Sequence, residues 1–410
     1  MAGIAHVITP DSASGSQVID GSLKFDKTSS QHLSRTFSLG NRRTWTWSCW
    51  CRQHNQSVIL PFLSNTTGSD DTNYNGFFFN ADQTLGYNGY NTQFRKTTAQ
   101  HRDTGWYNIV VVFDTTQSTA LDRIKYYING VLQTDFAANN TLTENGEYAI
   151  NKAETHMLGR LINDYAAGQM SQVYFIDGAA LGSEYFGFTD PLTNTWKPKK
   201  YKHDKRFYGV TFSNQLSPSD GPWRNSNPKS NGFDGSAATS IALDTVEGTL
   251  TFSPNFGQGP FEIEYKGFND GQTTATIDGT TLTYTSGSIW TGTVSSFNTL
   301  TLVAGANNRP GIAYIKVNGY ILVDAAADNS FYLPFDGNSP IGQDQSGQGN
   351  DWTPINFGGT VELDSPLVTG TRPILNVTQG GAQAGVGVFG SKQNVGYAVT
   401  VYNDGGGNKY

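Results

Sequence analysis

Carboxylates are the first residues to weigh for chemistry. Glu262 and Glu264 stand two apart in the segment Phe261–Tyr265, so on a strand both point to one face. Cleaving a glycosidic bond needs two such acids flanking it, about 5–5.5 Å apart for retention or further for inversion. No third acid follows in register, because Lys266 comes next after Tyr265. The pair therefore reads as the solvent-facing side of a strand, and the chain as a non-enzyme. The six histidines, His6, His32, His54, His101, His156 and His203, are scattered without an HxH or HExxH pattern, so no histidine metal centre is expected. Neither G-x-S-x-G nor GxxxxGK[ST] occurs, which removes an α/β-hydrolase elbow and a P-loop. Cys49 and Cys51 share one face of a strand. Bridging them would strain it, so buried free thiols are expected. Calcium prefers oxygen ligands from loops, and the weak candidates are Asp70 and Asp71; there is no EF-hand spacing.

Aromatic residues are the stronger lead. Tyr74, Phe77, Phe78, Phe79, Tyr87 and Tyr90 crowd one short stretch. Three consecutive Phe on a strand cannot all face one core, because side chains alternate. Sugar rings stack on aromatic faces while Asn and Asp take the hydroxyls. Tyr74, Phe78, Tyr87, Asn88 and Tyr90 are therefore the candidate ligand-binding residues. Burial of the same aromatics between subunits is equally open.

The elements that must position these residues are strands. The segments Ser22–Phe25, His32–Phe37, Trp45–Arg52, Asn75–Asn80, Trp106–Phe113, Ile124–Ile128 and Gln169–Ile176 alternate or run apolar. Turn signals such as Asn129–Gly130 separate them, and Asn-Gly is a strong two-residue hairpin signal. Many short strands without a long helical pattern predict an all-β sandwich. In Trp45–Arg52 the set Trp45, Trp47, Cys49 and Cys51 should enter the core. The expected organisation is an arm over 1–20, a jelly-roll domain over 21–186 and a solvent-exposed linker over 187–206. A second β-sandwich follows over 207–325, where the segment NGFDGS, Asn231–Ser236, weakly resembles the opening of galactose-binding-like sandwiches. A Gly-rich region with docking strands closes the chain over 326–410. Strands are expected at Phe207–Phe212, Gly248–Phe252, Phe261–Tyr265, Thr273–Ile277, Thr280–Tyr284, Thr299–Val303 and Ile312–Val317, and a last one at Tyr397–Tyr402.

Composition narrows the class. Net charge is −7 and charged residues are only 15% of the chain, against about 25% in a typical soluble protein. The densest basic stretch, Lys197–Arg206, is too short for a nucleic-acid groove, so no nucleic-acid partner is expected. No run of about 18 apolar residues occurs, so no membrane span is expected. The first ten residues lack the basic start and apolar core of a signal peptide.

With these segments in place, a resemblance emerges. Residues from about 20 to 185 resemble the laminin-G-like, concanavalin-A-like jelly-roll module. The likeness is carried by Ser22–Phe25, Trp45–Arg52, Gly105–Asp114, Tyr126–Leu132 and Met170–Leu181. Phe188–Lys200, Phe331–Asp336 and Ser346–Phe357 are similar to segments of virion proteins from tailed, especially marine, phages. There a jelly-roll module is joined to further β-domains in tail fibres or appendages. The resemblance implies a virion structural protein, a fibre or surface appendage component without catalytic activity. It implies location on the virion, other virion proteins as partners, a homo-oligomer such as a trimer, and contact with a host-surface glycan. The alternative is a carbohydrate-binding adhesin whose main task is host recognition.

Overall fold

A computed structural model describes residues 16–357 apart from 55–56, 103–104, 203–204, 208, 219–220, 269–272 and 325–327. Beyond these it describes Val361–Glu362, Val386–Gly387, Val399–Thr400, Tyr402–Asn403 and Asn408–Lys409. The chain is all-β, a jelly-roll sandwich followed by a second sandwich. His6, His203, most of the expected arm and the greater part of the Gly-rich tail lie outside the described residues.

The first sandwich has two antiparallel sheets. The front sheet runs Val131–Leu132, Ile124–Ile128, Tyr107–Asp114, Thr44–Gln53, Gly168–Asp177, Ser22–Phe25, Val361–Glu362. The back sheet runs Phe136–Asn139, Gln93–Thr97, Leu85–Asn88, Asn75–Phe79, Leu60–Asn65, Thr155–Leu158, His32–Thr36, Thr353–Ile355. Alternation puts Trp45, Trp47, Cys49 and Cys51 into the core between them, and both thiols are free. Trp45 stacks on Phe113 at 4.7 Å between ring centroids, and Trp47 meets Phe77 edge-on at 4.8 Å. Offset and edge-on aromatic pairs add about 0.5–1.5 kcal/mol beyond their buried area.

The front sheet is apolar on its outer face as well. Tyr107–Asp114 reads YNIVVVFD, a nearly continuous apolar run of the kind that marks a strand covered on both sides. Ile109, Val111 and Phe113 point into the jelly roll. Val110 and Val112, with Tyr174 and Ile176 of Gly168–Asp177 two strands away, point outward into a second core shared with the following sandwich.

That sandwich pairs a five-stranded with a six-stranded sheet. Most strands sit close to their expected places, but Thr280–Tyr284 splits into Thr280–Thr281 in one sheet and Thr283–Tyr284 in the other, and two further segments differ. Phe207–Phe212 does not form a strand. Two 3₁₀ turns, Lys205–Phe207 and Phe212–Gln215, occupy its ends, and Phe207 and Phe212 are buried in the shared core. Ile289–Phe297 is a nine-residue strand that the pattern hides. Its sequence IWTGTVSSF mixes Thr, Ser and Gly with apolar residues, and only Trp290, Val294 and Phe297 are buried.

Residues 187–206 also differ from a solvated connector. Gly187–Thr189 pairs with Trp196–Pro198 as a hairpin. The Trp196 indole Nε1 donates to Asn108 Oδ1 at 3.0 Å and packs beside Trp50 and Trp106. Pro198 ends the hairpin strand, a position where a missing N–H costs little.

After the second sandwich the chain returns to the first. Phe331–Leu333 pairs with Gly168–Asp177, and Thr353–Ile355 pairs with His32–Thr36. Phe331, Leu333 and Trp352 fill the jelly-roll core. Where the return begins, the buried Asp177 carboxylate accepts from the backbone N–H of Asn41 (2.9 Å), the Asn329 N–H (3.1 Å) and Asn151 Nδ2 (2.5 Å). Burial pushes this carboxyl up to about 7 against those hydrogen bonds. Nearby, the Asn151 N–H donates to His156 Nε2 at 3.0 Å, and burial pushes this imidazole down to about 4.

Two outcomes are expected. Phe331→Ala should cost about 3–5 kcal/mol, the range for a buried aromatic reduced to Ala. Urea unfolding followed by fluorescence should read it, and a loss under about 1 kcal/mol would refute the return strand's role in the core. The second concerns pH. Asp177 has a folded pKa above the ordinary 3.8, so its contribution is full below that value and is lost as pH rises through 7. His156 has a folded pKa below 6.5, so its contribution is full above 6.5 and is lost as pH falls through about 4. Asp177→Asn should therefore remove a fall in melting temperature between about pH 4 and 7, the window between its ordinary and folded pKa, and leave the opposite slope from His156 in place.

Candidate functional site

The sequence-derived ligand residues separate into two groups. Phe77 and Phe79 enter the jelly-roll core from Asn75–Phe79. Phe78, on the opposite face of that strand, is 5% exposed. Tyr87 is fully buried, in contact with Phe94 and Phe113. Neither Phe78 nor Tyr87 can meet a ligand in the folded chain, which corrects the expectation. The three-Phe run marks a strand covered on both faces, and Tyr87 belongs to the inward set of its own strand.

Tyr74 and Tyr90 do come together, at the ends of two central strands of the back sheet. Their rings meet edge-on at 5.7 Å, Tyr90 is 46% exposed and Tyr74 is half-buried. Asn88 ends the strand Leu85–Asn88 and is also half-buried. Asp71 holds the loop from below. Its Oδ2 accepts from Thr92 Oγ1 at 2.5 Å, and its Oδ1 from the Asn91 N–H at 3.3 Å. Asp70 accepts from the Thr72 N–H, Thr72 Oγ1 and Asn73 Nδ2. Those side-chain hydrogen bonds hold it down to about 2. Both carboxylates are thus committed to shaping their loops. Among the described residues no group of three or more His, Cys, Asp or Glu converges as a metal site.

A second site was not legible in the sequence, because it needs both sandwiches. A cleft of about 330 Å³ opens where the outer face of Tyr107–Asp114 and Ile124–Ile128 meets the six-stranded sheet. Its inner end is an ionic knot. Lys316 Nζ lies 2.7 Å from Asp114 Oδ2 and 3.4 Å from Glu264 Oε1. The Tyr314 hydroxyl donates to the same Glu264 oxygen at 2.7 Å. The side chains of Lys316 and Asp114 are 7% and 3% exposed. Burial works against both charges, and their mutual attraction outweighs it. Asp114 is held below its ordinary value and Lys316 above its own. Glu264 and Lys316 are cross-strand partners in register, which puts both on the cleft side.

The outer part of the cleft is open. Glu262 is exposed there, Asp122 pairs with Lys125 at 3.1 Å, and the half-buried Tyr127 offers a ring. Glu262 and Glu264 do share a face, as their spacing predicts. That face looks across at the jelly roll rather than into bulk solvent. A general acid needs a raised pKa so that it holds a proton to give. Here the buried carboxylate Asp114 is lowered by an ammonium and Glu264 is tied to the same ammonium.

Comparison with known proteins fits this architecture. Residues 25–184 match the concanavalin A-like lectin/glucanases superfamily. Similar solved structures include the heptameric SAP-like pentraxin from Limulus polyphemus, at 15% identity and TM-score 0.27, covering 38% of this chain and 73% of that one. The CBM40 of the Ruminococcus gnavus IT-sialidase is 16% identical with TM-score 0.27, covering 39% and 92%. A carbohydrate binding protein described as putative, from Bacteroides ovatus, is 11% identical with TM-score 0.28, covering 44% and 58%. The search of curated proteins found no match.

Removing the ammonium tests the knot. Lys316→Met leaves Asp114 buried and unpaired, and should cost about 3–5 kcal/mol. The double variant Lys316→Met with Asp114→Asn should recover most of that loss in urea unfolding. Equal losses in both would show that packing, not charge, is the source.

Proposed function

We propose that this chain is a non-catalytic virion structural protein of a tailed phage, a fibre or surface appendage component that contacts host-surface glycan. The observation that carries the reading is the Asp114–Lys316–Glu264 knot. Of the two acids best placed for chemistry, Glu264 is spent with Asp114 on joining two sandwiches into one body, which leaves Glu262 without its partner. An enzyme would leave such a pair free across its cleft.

Three segments that resemble phage virion proteins lend support, because each packs on the jelly roll. Within Phe188–Lys200, Trp196 of the hairpin covers the outer side of the front sheet at Asn108. Phe331–Leu333 completes that sheet and Thr353–Ile355 the back sheet. A body welded this way transmits force between its parts, which suits an appendage. Other virion proteins and further copies of this chain are the partners the reading implies, and a closed ring such as a trimer is the symmetric solution for a fibre.

A carbohydrate-binding adhesin is the second reading, favoured by the exposed Tyr90 paired with Tyr74 beside Asn88. Aromatic rings of this kind take the apolar face of a sugar, and nearby amides its hydroxyls.

Two measurements separate the readings. Labelling of intact particles with antibody to this chain should place it on the virion surface, and its absence from purified particles would overturn the proposal. On host cells, Tyr90→Ala and Tyr74→Ala should each reduce binding at least fivefold if the adhesin reading holds, with melting temperature unchanged. Full binding by both variants would remove this tyrosine pair as the contact.

A further inference from the structure

A pocket of about 300 Å³ lies on the other side of the shared core, between the front sheet and the returning chain. Its floor is aromatic. Tyr174 and Tyr332 are cross-strand partners whose rings stack at 4.3 Å and 5°. Tyr201 stands edge-on to Tyr174 at 6.1 Å and 86°. One wall is a fixed turn. The Asp344 carboxylate accepts from the N–H groups of Tyr332 (2.9 Å), Ser346 (2.8 Å) and Asn350 (2.9 Å). The Gln345 N–H donates to the Tyr332 carbonyl at 2.8 Å.

The mouth carries positive charge. Lys200 and Lys202 both line the pocket and are exposed. Neither makes an ion pair or hydrogen bond among the described residues. The Lys200 ammonium instead lies 5.6 Å from the centre of the Tyr332 ring, held by cation–π attraction worth about 0.5–1 kcal/mol at an exposed site. The Gln345 side-chain amide is likewise exposed and unengaged among the described residues. In a chain of net charge −7, two unpaired ammonium groups over a tyrosine floor form a local exception.

We propose that this pocket binds a sugar acid, a six-membered ring carrying a carboxylate. The volume lies at the lower end of the range for small-molecule sites, about 300–1,000 Å³, which fits one ring rather than an extended chain. The ring's apolar face lies against the half-buried Tyr201, and reaches the Tyr332 ring only where Lys200 lifts from it. Its carboxylate draws Lys200 off the Tyr332 ring and pairs with it and with Lys202, charge-assisted bonds that a neutral sugar cannot make. Gln345 and Ser346 take the hydroxyls. The fixed turn around Asp344 keeps this wall in place before the ligand arrives, so little order is lost on binding. The site does not use the Tyr74–Tyr90 pair or the ionic cleft, so it stands or falls apart from the proposed role on the particle.

Titration of the full chain with glucuronate and with glucose, by calorimetry and ligand-observed NMR, tests it. Glucuronate should bind saturably, at least tenfold tighter than glucose, and weaken in about 0.5 M salt. Lys200→Gln with Lys202→Gln should weaken glucuronate at least tenfold and leave glucose unchanged. Gln345→Ala should weaken glucuronate several-fold. These three residues are exposed, so the variants should keep the wild-type melting temperature. No saturable binding of glucuronate, or glucuronate binding untouched by the double lysine variant, overturns the site. Binding of benzoate in place of glucuronate overturns the sugar class.

Discussion

The structure depends on one sheet whose central strands are covered on both faces. The front sheet of the jelly roll presents Ile109, Val111 and Phe113 to one core, and Val110, Val112, Tyr174 and Ile176 to another. Apolar surface on both sides gains roughly 25 cal/mol per Å² removed from water, so neither face is stable uncovered. The second sandwich supplies the missing cover. Backbone pairing reinforces it, since the Ile321 N–H donates to the Gly178 carbonyl at 2.8 Å and the Ala180 N–H to the Gly319 carbonyl at 3.0 Å. The two sandwiches are successive in sequence and continuous in packing.

This arrangement explains what the sequence displayed and what it hid. The run IVVVF marked a strand, and the alternation in WTWSCWCR picked out the inward set Trp45, Trp47, Cys49 and Cys51. Tyr87 was misplaced because an aromatic near a turn looks the same whether it points in or out. Only its place in the register of Leu85–Asn88 decides that. The segment IWTGTVSSF escaped notice because its outward positions are polar and its buried ones irregularly spaced. The ionic cleft could not be read at all. Asp114 and Lys316 are about two hundred positions apart, and no local pattern links an acid at a strand end to a lysine on a distant sheet.

Charge is used here for joining rather than for turnover. Lys316 sits with one acid from each sandwich, Asp114 and Glu264. A buried ion pair often adds little net stability over a well-packed apolar substitute. Its value is selectivity: a relative slide of the sandwiches would strand a buried charge, so one docking register is strongly preferred. The Asp177 cluster acts in the same sense at the return of the chain, where a single carboxylate gathers donors from Asn41, Asn151 and Asn329.

The returning strand has a consequence for how the molecule is made. Gly168–Asp177 carries Ser22–Phe25 along one half of its edge and Phe331–Leu333 along the other. While a ribosome is still producing the residues between them, half of that edge is an open row of peptide N–H and C=O groups. Such a row accepts any matching strand, and the matching strand of a neighbouring nascent chain has the same sequence as its own. Synthesis of many copies on one message therefore sets a kinetic contest between closure within a chain and exchange between chains. Closure of this edge waits until the whole second sandwich has been made.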